Sequence, residues 1–255
     1  MTRNLFVLES GLRAASVRFL LNDIIVQETM VIGNRTIASK INHWLIDGDN
    51  SIVITLRPLT VPPDLPDYET SLIGGRQGEM PGPDDTLFRF SLRDLPDPTI
   101  LAVDTAVEVA RVTLPVSHGF GRWAWQDAEP LAATQQDQIL TAYQRIATAL
   151  ATGAIDDAVG QLDLMIRERS RSLGVPETEI RDDLRDAVGQ ALGGPPPRII
   201  ATPAEAVSVT PMAGGRLALV TAPDGGAPIL YDGGEERWSL RPVFVHAEGR
   251  WQVGY

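Results

Sequence analysis

The sequence predicts an α+β protein of two domains: an antiparallel β-sandwich over residues 1–127, then three helices packed on an antiparallel sheet over residues 128–255. Three observations predict it. Apolar residues recur at helical spacing over one long stretch only, Thr134 to Leu192. Before it come roughly seven or eight short β-rich runs punctuated by turn residues. After it, further β-rich runs are separated by glycine doublets and by acidic residues followed by glycine.

The helical stretch divides into three runs. In the first, Ile139, Tyr143, Ile146 and Leu150 stack on one face, and Gly153 ends it. The second places Ile155, Val159, Leu162, Ile166 and Leu173 on one stripe. Its first turn holds Asp156 and Asp157 and its last holds Arg167, Arg169 and Arg171, as a helix dipole favours. Pro176 opens the third, which carries Ile180, Leu184, Val188 and Leu192 before Gly193, Gly194 and three prolines. No lone helix can shield such a stripe, so the three must pack on one another or on a sheet.

In the N-terminal part, Asn22-Asp23 separates β-rich runs as a hairpin turn, Gly33-Asn34 is a second turn signal, and Gly48-Asp49-Asn50 precedes the strand Ser51 to Arg57. That strand is apolar on both faces, which makes it central. Pro58 to Asp85 is dense in Pro, Gly and Asp, including Pro62, Pro63, Pro66, Pro81 and Pro83, and reads as a long surface loop, either a partner-contacting arm or an insertion. Strands follow at Thr86 to Leu92 and Thr105 to Val116, with a turn at Pro96-Asp97-Pro98 between them. Val17 to Asn22, with Leu45-Ile46-Asp47-Gly48-Asp49-Asn50-Ser51-Ile52-Val53-Ile54, resembles the Gly-x-Asn-x-Ile-x-Val pattern of galactose-binding-like jelly-roll domains. The resemblance implies a jelly-roll-like sandwich, and a sandwich with no sugar-related role explains the same residues.

Behind the helices, the separators Gly214-Gly215, Asp224-Gly225-Gly226, Asp232-Gly233-Gly234 and Glu248-Gly249 each suit a hairpin. Helices followed by hairpins, with Arg241-Pro242-Val243-Phe244-Val245-His246, Gly249 and Trp251 at the close, resemble the NTF2-like (cystatin-like) superfamily. That resemblance implies a curved sheet wrapped around helices as a cone. The superfamily holds enzymes, small-molecule binders and interaction modules, so function stays open.

Composition narrows the function classes. The formal net charge is −11, shared evenly: 11 basic and 17 acidic residues up to Pro130, 11 and 16 after it. Such a chain repels phosphate backbones and anionic lipid, so neither nucleic acid nor membrane is an expected partner. With no cysteine, thiol catalysis, disulfides and Cys-type metal sites are excluded. Glu9 and Arg13 interrupt the early apolar run, so no signal peptide or membrane span is expected and the cytoplasm is the default location.

No catalytic residues, metal site or cofactor are predicted. The three histidines, His43, His118 and His246, have no ligand spacing between them, and the Gly-rich signals lack the strand-to-helix context of a phosphate loop. Ser117 to Asp127 is the densest cluster of unusual residues. If extended, it puts Trp123 and Trp125 on one side beside His118, either to bind sugars or a partner or to plug the junction between the domains.

Three functions follow. The first is a soluble, non-catalytic binding or accessory protein acting on another protein, one with a basic surface. The second is an enzyme or small-molecule binder whose cone pocket is lined by Tyr143, Trp238, Phe244, His246 and Trp251 and holds a titratable group. The third is a carbohydrate-binding module using Trp123 and Trp125. Edge strands in both β regions make a homodimer one expected assembly.

Overall fold

The computed structural model describes residues 3–59, 66–79, 82–97, 100–192, 199–232 and 237–255. The fold is α+β with antiparallel sheets. The chain divides into two compact units, Met1–Arg122 and Trp123–Tyr255. The division falls a few residues before the expected boundary, because Trp123 begins a helix of the second unit.

The first unit is built on one long hairpin. β1 (Leu5–Leu21) and β2 (Ile24–Lys40) are joined by Asn22 and Asp23, whose φ values of 55° and 63° make the two-residue turn that matches strand twist. β3 (Gly48–Pro58), β4 (Asp67–Gly75), β5 (Thr86–Ser91) and β6 (Val107–Val116) complete a six-stranded antiparallel sheet. β1 pairs with β2 from Val7 to Leu21 on one edge. On the other, Leu5–Arg13 pair with β4 and Ala15–Leu21 with β3. The handover falls at Ala14, a non-glycine residue with φ 49°. There the buried side chains switch from even positions (Phe6, Leu8, Leu12) to odd ones (Ala15, Val17, Phe19, Leu21). The layers expected of a sandwich are therefore joined through one bent strand into a single sheet.

β3 is central as expected, between β1 and β6, with Ile52, Val53 and Ile54 buried on both faces. Two expectations in this half need correction. The stretch 58–85 is not a loop throughout: β4 occupies its middle, with Tyr68, Thr70 and Leu72 buried on alternate positions against β1. Pairing with β1 overrides the glycines at the end of β4. Pro62, Pro63, Pro81 and Pro98 lie outside the described residues. Nor is Gly33-Asn34 a turn; it sits within β2, where the register to β1 shifts opposite Ala14.

The second unit opens with α1 (Ala124–Asp127), then α2 (Gln136–Thr152), α3 (Ile155–Gly160), α4 (Asp163–Leu173) and α5 (Glu177–Leu192). Gly153 ends α2 with φ 75°, the left-handed conformation that lets its N–H return to the carbonyl of Ala149. The second predicted run is two helices, α3 and α4, broken at Gln161 and Leu162. The stripe survives the break, since Val159, Leu162 and Ile166 are all buried.

The strands β7 (Ile199–Ala201), β8 (Ser208–Met212), β9 (Leu217–Thr221), β10 (Ile229–Asp232), β11 (Arg237–Leu240), β12 (Val243–Ala247) and β13 (Arg250–Val253) form two sheets rather than one curved sheet. Their orders are β11-β10-β7 and β13-β12-β9-β8. The turn at Asp224-Gly225-Gly226 is tight, with Gly225 N–H donating to the Ala222 carbonyl, but it links strands of different sheets. Ile139, Tyr143, Ile146 and Ile166 from the helices share one buried cluster with Ala218, Val220, Ile229, Phe244 and Val253 from the strands. Among the described residues, no helix is long and apolar enough to cross a membrane.

Candidate functional site

Two hollows of the second unit lie along α2. Gln138, Thr141, Ala142 and Arg145 fall at intervals of three, one and three, which places them on one face of the helix. Opposite stands the β12–β13 hairpin. Glu248 and Gly249 turn it with φ values of 55° and 75°, and the Arg167 guanidinium pins it to α4, donating to Glu248 Oε1 at 3.1 Å. The same guanidinium holds the Glu248 carboxyl below the usual carboxylate range. So fixed, β13 contributes Arg250, Trp251, Gln252 and Val253 to a cavity of about 390 Å³, whose remaining wall comes from α2, Phe244 of β12, and Gly160 and Gln161. A second hollow of about 480 Å³ shares Thr141, Arg145 and Gln161 with the first and runs along α2 to Thr152 and Asp157.

The wall combines two guanidiniums with groups that both donate and accept, and Arg250 itself donates to Gln252 Oε1 at 3.4 Å. Arg145 and Arg250 carry positive charge, Gln138, Gln161 and Gln252 carry amides, and Thr141 carries a hydroxyl. Gln252 is held in place by donating its Nε2 to the Ala247 carbonyl at 2.8 Å. Among the described residues, Arg145 has no carboxylate within salt-bridge distance, and no histidine or carboxylate lines the first hollow. Trp251 is 5% exposed, and its buried indole N–H has no hydrogen-bond partner. A buried donor left unpaired costs about 1–3 kcal/mol, and an atom closed off from solvent offers nothing to a ligand in the hollow.

The residues predicted for a site are scattered. Phe244 and Trp251 do line the first hollow, and the His246 ring lies 5.4 Å from that of Trp251. Tyr143 is not a wall residue. It is fully buried, its hydroxyl 2.6 Å from the Thr202 carbonyl and 3.2 Å from that of Pro228, and burial pushes it up to about 12. Trp238 stacks on Tyr231 at 5.5 Å.

Trp123 and Trp125 are 0% and 4% exposed and are not an extended pair, because Trp123 N–H donates to Gln126 Oε1 and starts α1. The Arg171 guanidinium lies 4.2 Å from the Trp123 ring centroid and donates to Glu168 Oε2 at 2.8 Å, which also accepts from the Tyr255 hydroxyl at 2.8 Å. Burial, then the adjacent Glu168 charge, hold the Tyr255 phenol well above its ordinary range. The helix-end arginines Arg167 and Arg171 are thus engaged in side-chain pairs.

In the first unit, His118 is buried. Its Nε2 lies 3.2 Å from the Leu45 carbonyl and its Nδ1 accepts from Phe120 N–H at 3.3 Å. Asn50, from the stretch that resembles jelly-roll domains, is fully buried and accepts from Asn22 Nδ2 and Ile46 N–H, so it ties the β1–β2 turn to β3. Among the described residues, no three His, Asp or Glu side chains converge as a metal site would need.

Sequence reasoning missed Arg145, Arg250 and the three glutamines. Gln138, Thr141 and Arg145 form the polar face opposite the apolar stripe of α2, which a sequence reads as an ordinary solvated face. Comparison of the chain with family models, with curated proteins and with solved structures finds no match.

Proposed function

We propose that this protein is a non-catalytic binding protein whose groove between α2 and β13 takes the carboxylate or phosphate group of a small molecule. The observation that carries the reading is the pair of guanidiniums, Arg145 and Arg250, in the wall of one hollow whose lining holds no carboxylate. A volume of about 390 Å³ suits a small ligand. The enzyme reading asks for an acid–base group in the pocket wall, and guanidiniums, amides and a hydroxyl support capture instead. The sign of this groove is opposite to the net charge of −11, so a basic partner protein, if one binds, uses other surfaces. The NTF2-like resemblance belongs to the same proposal, since a hollow between helices and strands is what it anticipates. The sugar-binding reading required two exposed indoles, and the burial of Trp123 and Trp125 removes its basis.

Titration with inorganic phosphate and with citrate, followed by calorimetry and indole fluorescence, tests this. Saturable binding that weakens at least about tenfold in Arg145→Glu and falls with added salt is expected. No binding of either probe up to about 10 mM, or binding unchanged in that variant, defeats the proposal.

A further inference from the structure

We propose that the ligand of this groove is a zwitterion, whose acidic group meets Arg145 and Arg250 and whose ammonium group reaches Asp157 in the adjoining hollow, a step that rests on the capture of an acidic group proposed for the first hollow. The second hollow, of about 480 Å³, shares Thr141, Arg145 and Gln161 with the first, and Asp157 is the acidic side chain in its lining. An arginine and an aspartate thus line one hollow, yet among the described residues neither takes part in a salt bridge. Arg185 pairs instead with the neighbouring Asp156, at 3.0 Å. Opposite charges that stay apart give the hollow a positive end and a negative end, which a dipolar ligand matches and a simple anion does not.

Helix geometry sets the separation. Ala154, Asp157 and Gln161 fall at intervals of three and four, so one face of α3 and its flanking residues lines the second hollow. Gln161 and Arg145 mark the end shared with the first hollow, and Asp157 stands about one turn, roughly 6 Å along the helix axis, from Gln161. A chain of a few carbons spans such a distance. The threonine hydroxyls of the second hollow act as acceptors, as an ammonium requires. Thr152 donates its hydroxyl to the Thr148 carbonyl at 2.9 Å, and Thr141 donates its own to the Asp137 carbonyl at 2.8 Å, so what each offers a ligand is its lone pairs. Asp157 also suits the helix dipole from the first turn of α3, but Asp156 beside it serves that purpose as well.

Calorimetric titration of the full chain with 4-aminobutyrate, 5-aminopentanoate and 6-aminohexanoate, each against the same acid without its amine, tests the proposal. Inorganic phosphate and citrate probe the acidic-group site alone. At least one amino acid of the series is expected to bind about fivefold or more tighter than its amine-free partner. Asp157→Asn should reverse that order, because the ammonium then faces the two guanidiniums with no carboxylate to receive it, and should leave phosphate binding within about twofold of wild type. Asp157 is exposed, so the exchange should leave the melting temperature unchanged, and the wild-type comparison stands without it. Phosphate or citrate binding with no gain from any amine, or a gain that survives in Asp157→Asn, overturns the inference and leaves the acidic-group site standing. Failure of both phosphate and citrate to bind defeats that site and the inference with it.

Discussion

Replacing Tyr143 by Phe separates two consequences of one buried hydroxyl. The ring is fully buried in either residue, so the packing of α2 is kept. What is lost is the hydroxyl that lies 2.6 Å from the Thr202 carbonyl and 3.2 Å from that of Pro228, which flank β7 and β10. Removing it costs about 1–2 kcal/mol at pH 8, or a fall of about 3–6 °C in melting temperature. The pH dependence then runs the other way. Burial raises the phenol from 10 in the unfolded chain to about 12 in the folded protein. Its contribution is therefore complete below pH 10 and is lost as pH climbs toward 12, because the unfolded state gives up the proton first. At about pH 11 the wild type has forfeited roughly 1.4 kcal/mol that the Phe variant never had. Urea unfolding of both proteins at pH 8 and at pH 11 should thus show a gap that nearly closes. A gap of the same size at both pH values would refute the assignment of the shift to this buried hydroxyl. A variant as stable as wild type at pH 8 would refute its hydrogen bonds.

Two further substitutions probe the frame around the candidate sites. Asn50→Ala removes a fully buried side chain that accepts from Asn22 and Ile46 and donates to the carbonyls of Ile46 and Gly48 at 2.9 Å each. Leaving those groups unpaired should cost about 3 kcal/mol or more in denaturant unfolding of the first unit, and a loss below about 1 kcal/mol would show that the clamp is dispensable. Gly254→Ala would place a Cβ 2.7 Å from Val245 Cγ2 and 3.7 Å from Leu164 Cδ2, in a region where Val245 is fully buried and has no room to swing. A loss of about 1–3 kcal/mol is expected, and an unchanged melting temperature would mean that the hairpin shifts freely against α4.

Features governed by backbone conformation alone were legible in the sequence. Asn22-Asp23 and Glu248-Gly249 are turns because few residue pairs accept positive φ twice in succession, and both sit where the sequence puts them. The apolar stripes of α2 and α5 were legible because burial at three- and four-residue intervals has one regular solution. What failed depended on partners distant in sequence. β4 is a strand because β1 offers an edge from Leu5 to Arg13, and the prolines and glycines that flank Asp67–Gly75 outweighed its Tyr68-x-Thr70-x-Leu72 alternation in a local reading. Gly33-Asn34 has turn chemistry, yet pairing with β1 on both sides keeps the strand going and reduces the signal to an irregularity of register.

The candidate groove was illegible for a different reason. Polar residues on one face of a helix are the default solvated face, so Gln138, Thr141 and Arg145 carry no mark that distinguishes a wall from a surface. Their significance comes from Arg250, Trp251 and Gln252, more than a hundred residues later, which the Arg167–Glu248 pair holds against them. Trp251 was named from the sequence as a lining residue of a cone pocket, and it does line the first hollow. The Trp123–Trp125 pair is buried, so of the readings given for it the one that needed both indoles at the surface finds no support. Two aromatics at alternate positions invite a strand reading, while Gln126, three residues after Trp123, already held the helix-starting hydrogen bond that buries them.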